Sequence, residues 1–180
     1  MTADLELRDR IMAEAIDIVE GMTSVPVPIV AAVNGPAVGL GCSLAAMSDL
    51  VVMDEEAYFA DPHVMIGLVA ADGGALTWPL LTSLQLAKEY ALTGDRITAE
   101  RAAQIGLANH VCPDDEVFDA AMACAKRIAK LPKQATEDTK RILNLHLERA
   151  VLATIDFALT AEDRSFRSPE LRANLDRLLG

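Results

Sequence analysis

Ile29-Val-Ala-Ala-Val-Asn-Gly-Pro-Ala-Val-Gly-Leu-Gly-Cys-Ser-Leu-Ala45 is the segment on which the reading of this 180-residue chain turns. An apolar, β-branched run ends at Asn34-Gly35, a glycine-containing loop follows, and a helix of small residues begins near Gly41. That pattern predicts a buried strand, a tight turn and a helix start. A helix start presents unpaired backbone N–H groups and the positive end of the helix dipole. Backbone donors of this kind can hold a developing oxyanion without any catalytic side chain. Glycines let a substrate carbonyl come close to them.

Working outward, further segments fall into order. They are Asp49-Leu-Val-Val-Met53, Ala57-Tyr-Phe-Ala-Asp-Pro62, Gly67-Leu68, Gly73-Gly74, Leu92-Thr-Gly-Asp-Arg-Ile-Thr98 and Ala103-Gln-Ile-Gly-Leu-Ala-Asn-His-Val111. Together with the opening segment they make residues 25–113 resemble the crotonase (enoyl-CoA hydratase/isomerase) superfamily. The last third resembles that family only in its helical character.

The resemblance implies an α/β fold, a spiral of ββα turns over residues 1–113, followed by a helical region over 114–180 that mediates trimer formation. It also implies an acyl-CoA thioester as substrate, with no cofactor beyond it, and a homotrimer or dimer of trimers. The family normally carries an N-terminal region with several strands and an Ala-Gly-x-Asp-like motif, which supplies the first oxyanion donor. No such motif is found here. The expectation is an N-terminally truncated form, a fragment, a mis-started product or a natural short form, with uncovered sheet edges.

The second oxyanion donor maps onto the Gly39-Leu40-Gly41 turn, as the Leu40 N–H. Working with one donor of two costs about 2.7–4 kcal/mol of barrier. The two glutamates that share acid and base work in the family's hydratases map onto Ser43 and His63. Neither is a carboxylate, so paired-carboxylate hydration is not supported. Ser43 reads as a capping or packing residue. His63 follows Asp61-Pro62; histidine titrates near neutrality, and it is either a general acid or base or a structural residue. Asp72, in the small-residue loop before Gly74, is either a helix cap or a second candidate base. The candidate catalytic set is thus Leu40, His63 and Asp72. Gly39, Gly41, Ser43, Pro62, Ile66 and Ala71 are assigned to the substrate pocket. A Ser43–His63 nucleophilic pair lacks an orienting third group in the sequence.

The remaining readings are exclusions and element placements. Sixteen Lys and Arg stand against 27 Asp and Glu, a net charge of −11, and aromatics make up 4%. That composition speaks against nucleic-acid and anionic-membrane surfaces. Three cysteines, Cys42, Cys112 and Cys124, form no CxxC pair, and no cluster has metal-ligand spacing, so no metal is expected. Free thiols fit a reducing, cytoplasmic setting. Helices are predicted at 5–22, 41–48, 74–82 and 83–92 with a break at Pro79, and at 99–105 between Thr98 and Gly106. Another runs from a cap at Asp114 or Asp115 to about Leu131, one opens with Pro132 at its first position, and a last one starts at Ser168-Pro169. Strands are predicted at 29–33, 49–53 and 57–60. The basic residues Lys126, Arg127, Lys130, Lys133, Lys140 and Arg141 read as a solvated helical face. Two functional readings remain. One is an enoyl-CoA hydratase/isomerase-like enzyme stabilising an enolate by backbone donors; the other is a non-catalytic oligomeric paralogue or fragment of the same fold.

Overall fold

The computed structural model describes residues 5–71 and 74–179. Helix α1, Leu5–Ser24, leads into strand β1, Val30–Val33. The two-residue strand β2, Ala37–Val38, follows, then α2, Leu40–Ala46, β3, Leu50–Asp54, and β4, Tyr58–Ala60. Next come α3, His63–Ile66, α4, Gly74–Leu81, α5, Leu84–Thr93, and β5, Ile97–Thr98. Helix α6, Ala99–Ile105, and strand β6, His110–Cys112, complete the mixed part. Three helices end the chain: α7, Asp114–Ala129, α8, Lys133–Phe166, and α9, Pro169–Leu179.

The described strands form two small sheets. Strands β1, β3 and β6 run parallel in the order β1-β3-β6, with Val30 opposite Leu50 and Val52 opposite His110. Strand β4 pairs in parallel with β2 and antiparallel with β5. Alternation along β3 sorts its side chains onto two faces. Val51 and Met53 enter the main core with Phe59, Trp78 and Ile97, while Val52 packs with Val117 and Ala121 of α7. A strand covered on both faces is apolar throughout, and Leu50-Val-Val-Met53 reads that way.

Caps at the helix ends are partly those expected. Thr98 accepts the Arg101 N–H at 3.3 Å, and Gly106 closes α6 in the left-handed conformation. Ser168 accepts the Leu171 N–H at 3.1 Å. Three expectations are corrected. Pro79 lies inside α4; the break comes at Ser83, which caps α5 by accepting the Leu86 N–H at 3.2 Å. Asp114 and Asp115 are not caps but lie in the first turn of α7, after Pro113, where their charge meets the helix dipole. Pro132 is the N-cap of α8 instead of its first residue.

Helix α8 crosses α1 and α4, burying Val151, Ala158, Ala161 and Phe166. Lys140 on this helix is 6% exposed. Its Nζ donates to Asp49 Oδ2 at 2.7 Å and to the Val27 carbonyl at 2.9 Å, and Asp49 also takes the Ile29 N–H at 2.6 Å. Lys140 therefore leaves the solvated basic face, whose other members Lys126, Arg127, Lys130, Lys133 and Arg141 are exposed. Among the described residues no helix is long and apolar enough to cross a membrane, and no group of His, Cys, Asp or Glu could hold a metal ion. No disulfide joins Cys42, Cys112 or Cys124.

Candidate active site

Strand β2 delivers the chain to Gly39, which adopts φ 56° and ψ −123°. Only glycine takes that left-handed turn without strain. The Gly39 N–H donates to the Ala60 carbonyl at 2.9 Å, which ties the start of α2 to the end of β4. Leu40 is the first residue of α2, so its N–H has no carbonyl one turn back within the helix. Its side chain is 40% exposed and leaves the backbone accessible. The Gly39 carbonyl is occupied, accepting the Ser43 N–H at 3.0 Å and the Ser43 hydroxyl at 3.3 Å.

The end of β4 brings the second half of the site. Asp61-Pro62 turns the chain into α3, whose first residue is His63. A methyl group at Gly39 would lie 3.6 Å from His63 Cε1, so the imidazole stands against the turn that opens α2. His63 Nδ1 is hydrogen-bonded to Asp61 Oδ1. Asp61 is 1% exposed, and its other oxygen, Oδ2, is buried without a partner among the described residues. That oxygen lies over Gly74 at the start of α4, where an added Cβ would collide with it.

The segment carrying His63 is pinned from three sides. Gly94, ending α5, has Met65 and the Pro62 backbone against it, with no room for a side chain. Asn174 of α9 donates to the Ile66 carbonyl at 3.1 Å, and the Ser165 hydroxyl of α8 accepts the Val69 N–H at 3.3 Å. The terminal helices thus fix the loop that positions the imidazole.

Of the residues singled out in the sequence, Gly39, Leu40, Gly41 and His63 come together around the start of α2. Ser43 is 1% exposed and bonded back to Gly39, which is a packing role. Pro62 is the N-cap of α3 directly before His63, Ile66 ends that helix, and Ala71 is fully buried with Val19 and Leu76. Asp72 lies outside the described residues. Sequence reasoning missed Asp61, although it is two residues before His63. The signal was the intervening proline, whose turn sets the side chains of residues 61 and 63 beside each other.

A parallel-stranded α/β unit with a helical tail, a glycine turn opening a short helix and a polar pair behind it define a crotonase-type fold. A family model for enoyl-CoA hydratase/isomerase matches residues 4–177, and the chain belongs to this family. It is 39% identical over 127 residues to a mitochondrial enoyl-CoA hydratase of Pongo abelii, covering 71% of this chain and 44% of that protein. It is 36% identical over 126 residues to a 2,3-dehydroadipyl-CoA hydratase of Escherichia coli strain K12, covering 70% and 49%. The chain thus spans about half the length of these curated relatives. A crystal structure of an enoyl-CoA hydratase/isomerase from Mycobacterium paratuberculosis superposes with a TM-score of 0.95 at 59% identity, covering 98% of this chain and 70% of that one.

Proposed function

We propose that this protein acts on an acyl-CoA thioester, with the Leu40 N–H polarising the thioester oxygen and His63 moving a proton on the acyl chain. The observation that carries this reading is the His63 imidazole, held by buried Asp61 and set against Gly39 at the start of α2. A backbone donor and a base beside each other suit enolate chemistry. The imidazole takes a proton from the α-carbon, the electrons move onto the thioester oxygen, and the donor stabilises the charge. Returning the proton at the γ-carbon shifts the double bond and restores the imidazole. Isomerisation of an enoyl-CoA needs one such base. Two-carboxylate hydration does not fit Ser43 and His63. The family membership and the enoyl-CoA hydratases among its relatives support the substrate class. No cofactor beyond the thioester takes part.

A homotrimer, or a dimer of trimers, completes the proposal. Large apolar side chains on the terminal helices support it, with Phe118 of α7 67% exposed and Phe157 of α8 74% exposed. Three cysteines that form no disulfide with one another fit a reducing compartment, and the cytoplasm is the proposed one.

Calorimetric titration with crotonyl-CoA, against free CoA, tests the substrate class; saturable binding that needs the acyl group is expected. Turnover of a 3-enoyl-CoA by the wild type and by His63→Gln tests the chemistry. The variant should lose about a hundred- to ten-thousand-fold in rate. No acyl-dependent binding at millimolar ligand would replace this reading with a non-catalytic scaffold of the same fold.

A further inference from the structure

We propose that Asp61 is a positioning residue that fixes the proton and the orientation of the His63 imidazole, so that the site works through an aspartate–histidine pair. The inference rests on the reading that His63 moves the proton.

Asp61 has no ordinary structural duty that explains it. It does not cap α3, whose N-cap is Pro62 and carries no side-chain cap bond. The Met65 N–H goes to the Pro62 carbonyl instead. Among the described residues its carboxylate takes one partner, His63 Nδ1, and leaves Oδ2 unpartnered at 1% exposure. Burying a polar oxygen without a hydrogen bond is costly, and folds seldom keep one without a use. Gly74 is shaped to the same group, because any side chain there would displace Oδ2. Two elements, the β4–α3 turn and the start of α4, are therefore built around a carboxylate whose one bond among the described residues is to the imidazole.

The chemistry follows from the atoms in contact. A carboxylate accepts and does not donate, so Nδ1 carries the hydrogen, and in the neutral ring the basic lone pair sits on Nε2. The ring cannot turn over without breaking that bond. When Nε2 takes a proton, the imidazolium lies against a buried negative charge in a medium of low dielectric constant, which favours it. This arrangement gives the histidine an orientation and a charge compensation that a neutral neighbour would not supply.

Nitrogen-detected imidazole spectra of the full chain, labelled with ¹⁵N-histidine, read the tautomer directly. His63→Gln identifies the His63 signals, and exposed His110 and His146 serve as internal controls. The wild type is expected to show His63 as the Nδ1–H form. Asp61→Ala should move it to the Nε2–H form without changing His110 or His146. The same variant should lose kcat on a 3-enoyl-CoA by about a hundredfold or more with KM unchanged. An Nε2–H tautomer in the wild type overturns the proposal, and so does an unchanged tautomer in the folded variant. If Asp61→Ala does not fold, Asp61→Asn, which keeps the shape and drops the charge, is read by kcat alone, because its Oδ1 still accepts the Nδ1–H, and an unchanged kcat would then overturn the proposal. Expected spectra without turnover in either protein would sink the thioester reading and leave the Asp61–His63 placement standing.

Discussion

Gly74 and Lys140 carry constraints out of proportion to their size. A β-carbon at Gly74 would collide with Asp61 Oδ2, so Gly74→Ala must push the carboxylate or shift the start of α4. Overpacking of this kind costs about 1–3 kcal/mol, to be read from the urea midpoint. Lys140 puts a positive charge between Asp49 and the Val27 carbonyl. Lys140→Ala leaves Asp49 facing a gap, and the expected loss is about 3–5 kcal/mol. A solvated lysine would cost almost nothing, so a loss below about 1 kcal/mol would contradict the buried tie. The Cys112 thiol is raised by burial and then by the carboxylates of Glu116, Asp54 and Glu55. The native state therefore holds this proton more tightly than the unfolded chain. Stability contributed by the group falls as pH rises past the ordinary thiol range. Iodoacetamide at about pH 8.5 should label Cys112 more slowly in the folded protein than in urea, as followed by mass spectrometry. None of these three roles shows in the sequence, because each depends on a partner brought in by the tertiary fold.

At the scale of the element, local chemistry was readable where a signal sits inside one short window. Thr98 and Gly106 bound α6, and Ser168-Pro169 opens α9, because a cap is a contact between residues three apart. The 29–45 segment gave its strand, turn and helix for the same reason. The two-residue strands β2 and β5 are too short to show a period of two. Pro79 misled in the other direction. It is the sixth of the eight residues of α4, so it forfeits only the bond to the Ala75 carbonyl, and the helix runs on to Leu81. Helix α8 had a readable sign in hindsight: no glycine or proline interrupts residues 133–166. Its cap residues are testable. Ser83→Ala should cost about 1 kcal/mol and loosen α5, which backs Met65 next to His63. Because the imidazole is positioned through that packing, kcat should fall while substrate binding holds.

At the scale of the whole molecule, β3 is the hub. It pairs with β1 on one side and β6 on the other, while its two faces enter separate core clusters. Strand β1 is one edge of this sheet, flanked by a groove of about 810 Å³ lined by Ala31, Val33, Val38 and Leu44 among others. Hydrogen exchange should rank the two, with the amides of β3 exchanging last and those of β1 that face away from β3 exchanging early. Equal protection in dilute solution would mean that β1 is covered by another chain. The fold class and order of segments were legible because hydrophobic period and turn residues repeat over many positions. The site was legible only in part. The glycine turn announces itself, whereas the Asp61–His63 pair forms across Pro62, where the chain turns from β4 into α3.

The buried tie between Lys140 and Asp49 has a topological consequence. It joins positions 91 apart, and α8 adds Val151, Ala158 and Phe166 to the same side of the molecule. The exposed turn at Leu131 contributes little besides continuity. Cutting the chain there separates two pieces that still recognise each other. Polypeptides 1–130 and 131–180, made separately and mixed, are expected to recombine into one particle, the second restoring the clamp that Asn174 and Ser165 place on the histidine loop.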